Sequence, residues 1–388
     1  MMIPFKYSVK SLFTRRLTMA LTVFGIILVV FVFTGVLMMT AGLKKTLVAS
    51  GSDNNVIVIR EASATEMQSF VSRYQAGVIE TLPEIAYDEN ERPIVAGEVV
   101  ILISKKKIGS ESQTNLMVRG VDEMSLKVHE GVLITEGRMF GAGKTEIIVG
   151  RKISEGFQGS KIGDIMRFGN TDWKIVGVFE AGGASFESEV WGDVNQFMAA
   201  FGRPVYSSMI FRMSDLNVFD EMRERVMADP RMTVDMKREK KYYADQSYST
   251  TQFVSILGTT ISIIFSLGAI IGAMITMYAA VSNRTTEIAT MRALGFKRRS
   301  ILSAFLVESI MISVIGGIIG LLCASLLQFV NISTMNFDTF SDITFRFALS
   351  PEIALTALIF SLLMGFFGGF LPAVRASRIK IVDALKAE

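Results

Sequence analysis

Residues 141–145, Gly-Ala-Gly-Lys-Thr, end the way a phosphate-binding loop ends, with a lysine set to meet phosphate oxygens. A complete loop needs a glycine five residues before the Gly of Gly-Lys-Thr. Arg138 stands there, and Gly137 is one residue too early. No apolar strand runs into the segment, so a β-turn is expected and nucleotide binding is not. His129 is the only histidine among 388 residues, which leaves no histidine-based triad or zinc cluster to build. No acidic residues stand at EF-hand spacing, and a solvated surface accounts for the acidic residues scattered between positions 43 and 250. No catalytic residue and no metal site is expected. Glu308 differs, because it sits two turns inside a long apolar block, where a charge costs free energy. It is either functional or paired with a nearby arginine.

A second chemical feature is the polar stretch Ser282–Arg299. Thr286–Leu294 has the spacing of a short helix ended by Gly295, with Ile288, Met291 and Leu294 expected on its exposed side. Arg284, Glu287, Arg292, Ala293 and Gly295 complete the segment. It reads either as a docking element for a partner or as a basic loop held at a membrane surface.

The elements that must position these residues are dominated by apolar blocks. Half of the residues are hydrophobic, 20% are charged, and the mean hydropathy is +0.42. The net charge of +3 is too small to argue for nucleic acid. One cysteine, Cys323, leaves no intramolecular disulfide. Four blocks, 18–42, 253–281, 301–330 and 353–374, approach or exceed the roughly 20 residues that cross a bilayer as a helix. The first is too long for a cleavable signal and reads as an anchor. Basic residues mark the inner ends: Lys6, Lys10, Arg15 and Arg16; Arg284, Arg292 and Lys297 to Arg299; Arg375, Arg378, Lys380 and Lys386. Both termini and loop 282–300 are therefore expected in the cytoplasm. Residues 43–252 and loop 331–352 lie outside, and 375–388 form a cytoplasmic tail. Residues 1–17 have the pattern of an amphipathic helix in the membrane interface.

Three blocks carry glycines four apart: Gly268 and Gly272, Gly316 and Gly320, Gly365 and Gly369. Such pairs let helices approach closely in lipid, within one chain or across a dimer. Between the first two spans, strand, helix and strand signals occur at 55–60, 64–80 and 93–103. They recur at 208–213, 215–227 and 232–236. Two such units make one ferredoxin-like layer, with a β-rich insertion over about 114–202. The expected fold is thus a four-span α-helical membrane protein with a large α+β outer domain.

At the cytoplasmic stretch the sequence resembles the FtsX-like and MacB-like ABC transporter permeases. The resemblance rests on Arg284, Glu287, Ile288, Arg292, Ala293 and Gly295, then Phe305-Leu-Val-Glu308 and Gly316-Gly317-x-x-Gly320. It continues through Pro372-Ala373, Arg375 to Ile379, and Val382 to Lys386, with Ile381 where a proline is common. The outer segment resembles the MacB-type core at Gly137-Arg138, Ile147 to Gly150, Gly163-Asp164 and Trp173 to Val178. The resemblance implies a bacterial inner-membrane permease without catalysis of its own. Two copies of a cytoplasmic ABC ATPase would bind ATP and Mg. The expectation is that this ATPase is a separate chain, since only about 17 residues precede the first span. A second permease copy, identical or related, is implied, as is contact with lipid. A periplasmic adaptor and an outer-membrane channel are optional further partners. The implied function is extraction or export of a lipid, lipoprotein, peptide or drug-like amphiphile by mechanotransmission. The alternative is a signalling permease that activates an extracytoplasmic hydrolase.

Overall fold

The computed structural model describes residues 16–111 and 113–379. The interfacial helix expected before the first span and the Val382–Lys386 signature fall almost wholly outside them. The chain forms two compact units. The first holds the chain up to Ala41, Phe253–Val330 and the chain from Arg346. The second holds Gly42–Gln252 and Asn331–Phe345.

Among the described residues, four helices are long and apolar enough to cross a membrane: α1 (Arg16–Val48), α7 (Glu239–Ser282), α9 (Arg298–Ser325) and α10 (Pro351–Ser377). Two outrun their apolar blocks. Helix α1 continues past Gly42, and α7 begins 14 residues before Phe253. Helix α10 starts sharply because Ser350 Oγ accepts from Ile353 N and Pro351 follows the cap.

Within this unit the glycine pairs divide. A Cβ at Gly316 or Gly320 would lie 2.9 Å from Ile26 Cγ2 or from the Ile27 carbonyl oxygen of α1. One at Gly365 or Gly369 would lie 2.0 Å from Ser313 Oγ or 2.4 Å from Ser309 Cβ of α9. The approach is close enough for Ser309 Oγ to donate to the Gly365 carbonyl at 2.7 Å. These four glycines pack within one chain. Gly268 and Gly272 do not, since nothing lies within 4 Å of a Cβ added at either. Helix α7 instead meets α1 at Gly258, against Val36.

The second unit is built on a ten-stranded sheet. In chain order the strands are β1 (Asn55–Arg60), β2 (Val95–Lys106), β3 (Gln113–Val121), β4 (Leu133–Gly137), β5 (Glu146–Gly150), β6 (Ile165–Phe168), β7 (Thr171–Glu180), β8 (Glu189–Asp193), β9 (Ser208–Arg212) and β10 (Val234–Arg238). Their spatial order is β10-β1-β9-β2-β3-β8-β5-β7-β4, with β6 on β7. The first four pair antiparallel. Helices α2 (Arg73–Glu80) and α6 (Phe219–Met227) cover one face of them. That is the expected ferredoxin-like layer. Strand β1 shows the pleat at work. Val56 and Val58 face those helices, while Ile57 and Ile59 enter the core on the opposite face.

The expected insertion runs from β3 to α5 (Val194–Phe201), with the short helices α3 (Ser125–Val128) and α4 (Arg151–Gly156) between. It is not a detached subdomain. Residues 95–98 of β2 pair with β9, and 99–106 of the same strand pair with β3.

The helix expected over 64–80 is broken. Val71 exchanges backbone bonds with Tyr206, and a capping box of Ser72 and Gln75 starts α2 afresh. Between α9 and α10 the hairpin β11 (Asn331–Met335) and β12 (Asp342–Arg346) adds to this unit, with Lys107 Nζ 2.6 Å from Asp342 Oδ2.

Candidate functional site

Helix α7 ends at Ser282, and the chain turns through Asn283 and Arg284 into α8 (Thr285–Ala293). Gly295 closes the turn with φ +94, a left-handed conformation that a glycine adopts without a Cβ clash. Arg284 is buried outside regular helix. Its Nε lies 3.0 Å from Glu287 Oε2, its Nη1 lies 3.3 Å from Glu308 Oε2, and its guanidinium covers the Phe305 ring at 5.2 Å. Glu308 is therefore ion-paired with Arg284 on the turn. At the other end of α8, Arg292 Nη1 donates to the Ser377 carbonyl of α10 at 3.2 Å.

Ile288 and Ala289 are fully buried. Ile288 packs with Met277, Val281, Ile301, Phe305, Ala373 and Ala376. The expectation that Ile288 is an outward knob is wrong, and Met291 is half-buried against the same cluster. Helix α8 uses its apolar residues to hold itself to α7, α9 and α10. What it leaves outside is Thr286, Glu287, Thr290, Ala293, Gly295 and Leu294, which is 70% exposed just beyond the helix end. Helix α8 is thus attached to three long helices through packed side chains and charge-assisted bonds.

In the second unit, carboxylates expected at the surface are buried, among them Glu66, Glu98, Glu189 and Glu239. Arg119 of β3 gathers three of them. Its Nε and Nη2 donate to Glu189, Nη1 donates to Glu66 Oε1 at 2.9 Å and Glu98 Oε2 at 2.8 Å, and Nη2 reaches Glu66 Oε2. Ser208 Oγ and Trp191 Nε1 add donors to Glu66 and Glu189. Burial works to raise the Glu98 pKa, yet His129 and Arg119 together hold it down at about 2. Burial likewise opposes charge on Arg119, and the surrounding carboxylates more than offset it, so the guanidinium stays charged. No spacing joins positions 66, 98, 119 and 189. The available signal was a lone charge inside each apolar strand, as at Glu98 in Val95–Ile103 and Arg119 in Leu116–Val121.

The Gly-Lys-Thr segment is a turn, as expected, with Lys144 N bonded to the Gly141 carbonyl. Its amides are already occupied, Gly141 N by Glu146 Oε2 and Gly143 N by Asp193 Oδ2, both at 3.0 Å. It leads into β5 rather than out of a strand.

Comparison with known proteins agrees with this architecture. Residues 19–228 match the MacB-like periplasmic core domain, and 259–381 match the FtsX-like permease C-terminal domain. The uncharacterized ABC transporter permease YvrN of Bacillus subtilis is 27% identical, with 99% of each chain covered. The pyoverdine export ATP-binding/permease protein PvdT of Pseudomonas entomophila is 26% identical over 98% of this chain, which spans 59% of that protein's length. The extracellular domain of YknZ aligns over 47% of this chain at 16% identity, with a TM-score of 0.37. Four membrane-length helices and a periplasmic core domain make this a multi-pass inner-membrane protein with its large domain outside the cytoplasm. The chain belongs to the MacB-like, FtsX-like family of ABC transporter permeases.

Proposed function

We propose that this chain is the non-catalytic permease of a transporter whose ATPase is a separate cytoplasmic chain, present in two copies. A second permease copy completes the assembly. Loop 282–300 and both termini face the cytoplasm, and residues 43–252 and 331–352 face outward. Closure of the ATPase pair moves α8, the spans carry that motion outward, and the outer domain uses it to extract or export an amphiphile. The observation that supports this reading is the attachment of α8 to three long helices, with Leu294 projecting beside Gly295. An exposed leucine on a braced element suits an anchor that fills a partner's cleft.

Leu294→Asp and Ala293→Asp test it, because both positions are exposed and neither belongs to the buried cluster. Each variant should reduce co-purification of the partner ATPase by about thirtyfold, the loss expected from about 2 kcal/mol at an interface anchor. Permease yield and membrane insertion should be unchanged. Normal ATPase binding and normal transport in both variants would move the docking surface elsewhere, with residues 375–388 the next segment to test.

A further inference from the structure

His129 follows α3 and is 3% exposed. It stands between two carboxylates, Glu98 of β2 and Glu239, the first residue of α7. Its Nε2 is 2.8 Å from Glu98 Oε1, and its Nδ1 is 3.7 Å from Glu239 Oε1. Neither Nδ1 nor Glu239 Oε1 has a hydrogen-bond partner. The other Glu239 oxygen is held by Ser52 N at 2.8 Å and Asn55 Nδ2 at 2.9 Å, so the carboxylate is fixed in place. The rings of Phe186 and Trp191 wall the imidazole at 4.6 and 5.6 Å. The Arg119 donors are committed to Glu66, Glu98 and Glu189. In this buried cluster, four carboxylates thus face one guanidinium and one imidazole.

We propose that His129 and Glu239 form a proton-binding site, whose proton clamps the first turn of α7 to the outer domain and whose loss loosens it. With a proton on Nδ1, the imidazolium faces a carboxylate oxygen across 3.7 Å and a small shift closes the bond. Without it, a lone pair faces a buried negative charge, which is costly at low local dielectric. A metal ion is a poorer occupant. Among the described residues no three His, Cys, Asp or Glu side chains converge as ligands, and a stable transition-metal site needs more than two.

Arg119 of β3 opposes protonation of His129, whereas Glu98 favours it. Tyr243 on α7 lies near Glu239. Asp53 ahead of β1 and Glu130 beside His129 line the same cleft of about 260 Å³, and Asp53 is paired with Lys240. Burial acts to lower the His129 pKa, but the charges and hydrogen bond of Glu98, with Glu239, outweigh it and raise the value above 6.5. Burial raises Glu239 to about 6. Both groups therefore bind protons more tightly in the folded chain than in the unfolded one. Their contribution to stability is present below these folded values and is lost as pH rises through them. Glu98 has the opposite sign, and its contribution fails only as pH falls toward 2. The switch therefore opens on the alkaline side.

Because His129 is the only histidine, histidine-selective carbon-13 labelling of the full chain in lipid nanodiscs, purified without a polyhistidine tag, reads this one group. Its resonance should titrate with a midpoint above 6.5, and Glu239→Gln should lower that midpoint by about one pH unit. Hydrogen exchange in the first turn of α7, corrected for intrinsic rates, should accelerate as pH rises through the wild-type midpoint. It should lose that dependence in Glu239→Gln. A midpoint at or below 6.5, a midpoint unmoved by Glu239→Gln, or exchange indifferent to pH would overturn the proposal. So would a resonance shifted by stoichiometric zinc ion and restored by a chelator. If Glu239→Gln does not fold, the wild-type midpoint and its exchange profile decide the matter.

Discussion

Arg119 and Arg284 carry the same group and meet the same kind of partner, yet they do different work. Arg119 joins β3 to β2 and β8, strands already tied to it by backbone ladders. Between strands it adds no connection that the sheet lacks, and beyond the sheet it reaches only the turn that carries Glu66. What it adds is a demand that Glu66, Glu98 and Glu189 arrive together, since Glu66 and Glu189 would otherwise be buried uncompensated charges and Glu98 would rely on His129 alone. Arg284 sits on a turn and ties Glu287 of α8 to Glu308 of α9. No ladder joins those elements, so its bonds are part of the connection itself. A buried ion cluster inside a sheet makes the fold demanding about its partners. The same cluster at a turn makes a joint.

Substitution at the two arginines separates these roles. Arg119→Met leaves Glu66 and Glu189 without a cation in the core, and Glu98 with His129 alone, and should cost about 3–5 kcal/mol, read as a fall in the denaturant midpoint of the outer domain. Arg284→Met removes bonds to two carboxylates at a turn and should cost about 1–3 kcal/mol. Its effect should appear as faster proteolysis of residues 282–300, with outer-domain unfolding unchanged. Equal outer-domain losses from both variants would erase the distinction.

A smaller contrast applies the same logic to glycines. Gly369→Leu must displace Ser309 and should cost about 1–3 kcal/mol by overpacking. Gly268→Ala meets nothing within 4 Å and should change the melting temperature in detergent little, within about 0.5 kcal/mol.

The sequence made the long elements legible because their signals are local. Apolar length alone reveals the four spans. The recurring strand, helix and strand pattern reveals the ferredoxin-like layer, since two units of the same order at the ends of one segment leave few ways to pair. The outer cluster was not legible, because Glu66, Glu98, Arg119 and Glu189 become neighbours only when the sheet closes. Read one at a time, each carboxylate looks like surface. Helix α8 was half legible. Its position and its stop at Gly295 follow from residue types, but the same three apolar residues suit an outward face and an inward one. Ile288 went inward because a helix between two spans must first anchor itself. The break at Val71 was legible in principle, since Ser72 and Gln75 stand at capping-box spacing.

Strand β2 has one further consequence. Its first residues belong to the ferredoxin-like layer and its remainder to the inserted strands, without interruption. An inserted lobe usually hangs on a pair of flexible tethers and reorients as a rigid body about them. Here the tether is a hydrogen-bonded strand, and rotating it away would tear ladder bonds on both sides. The soft mode left to this domain is torsion: a change in sheet twist spread over many residues, each moving slightly. Labels placed across β2 would report such a deformation as a continuous gradient of small displacements, with no pivot to be found.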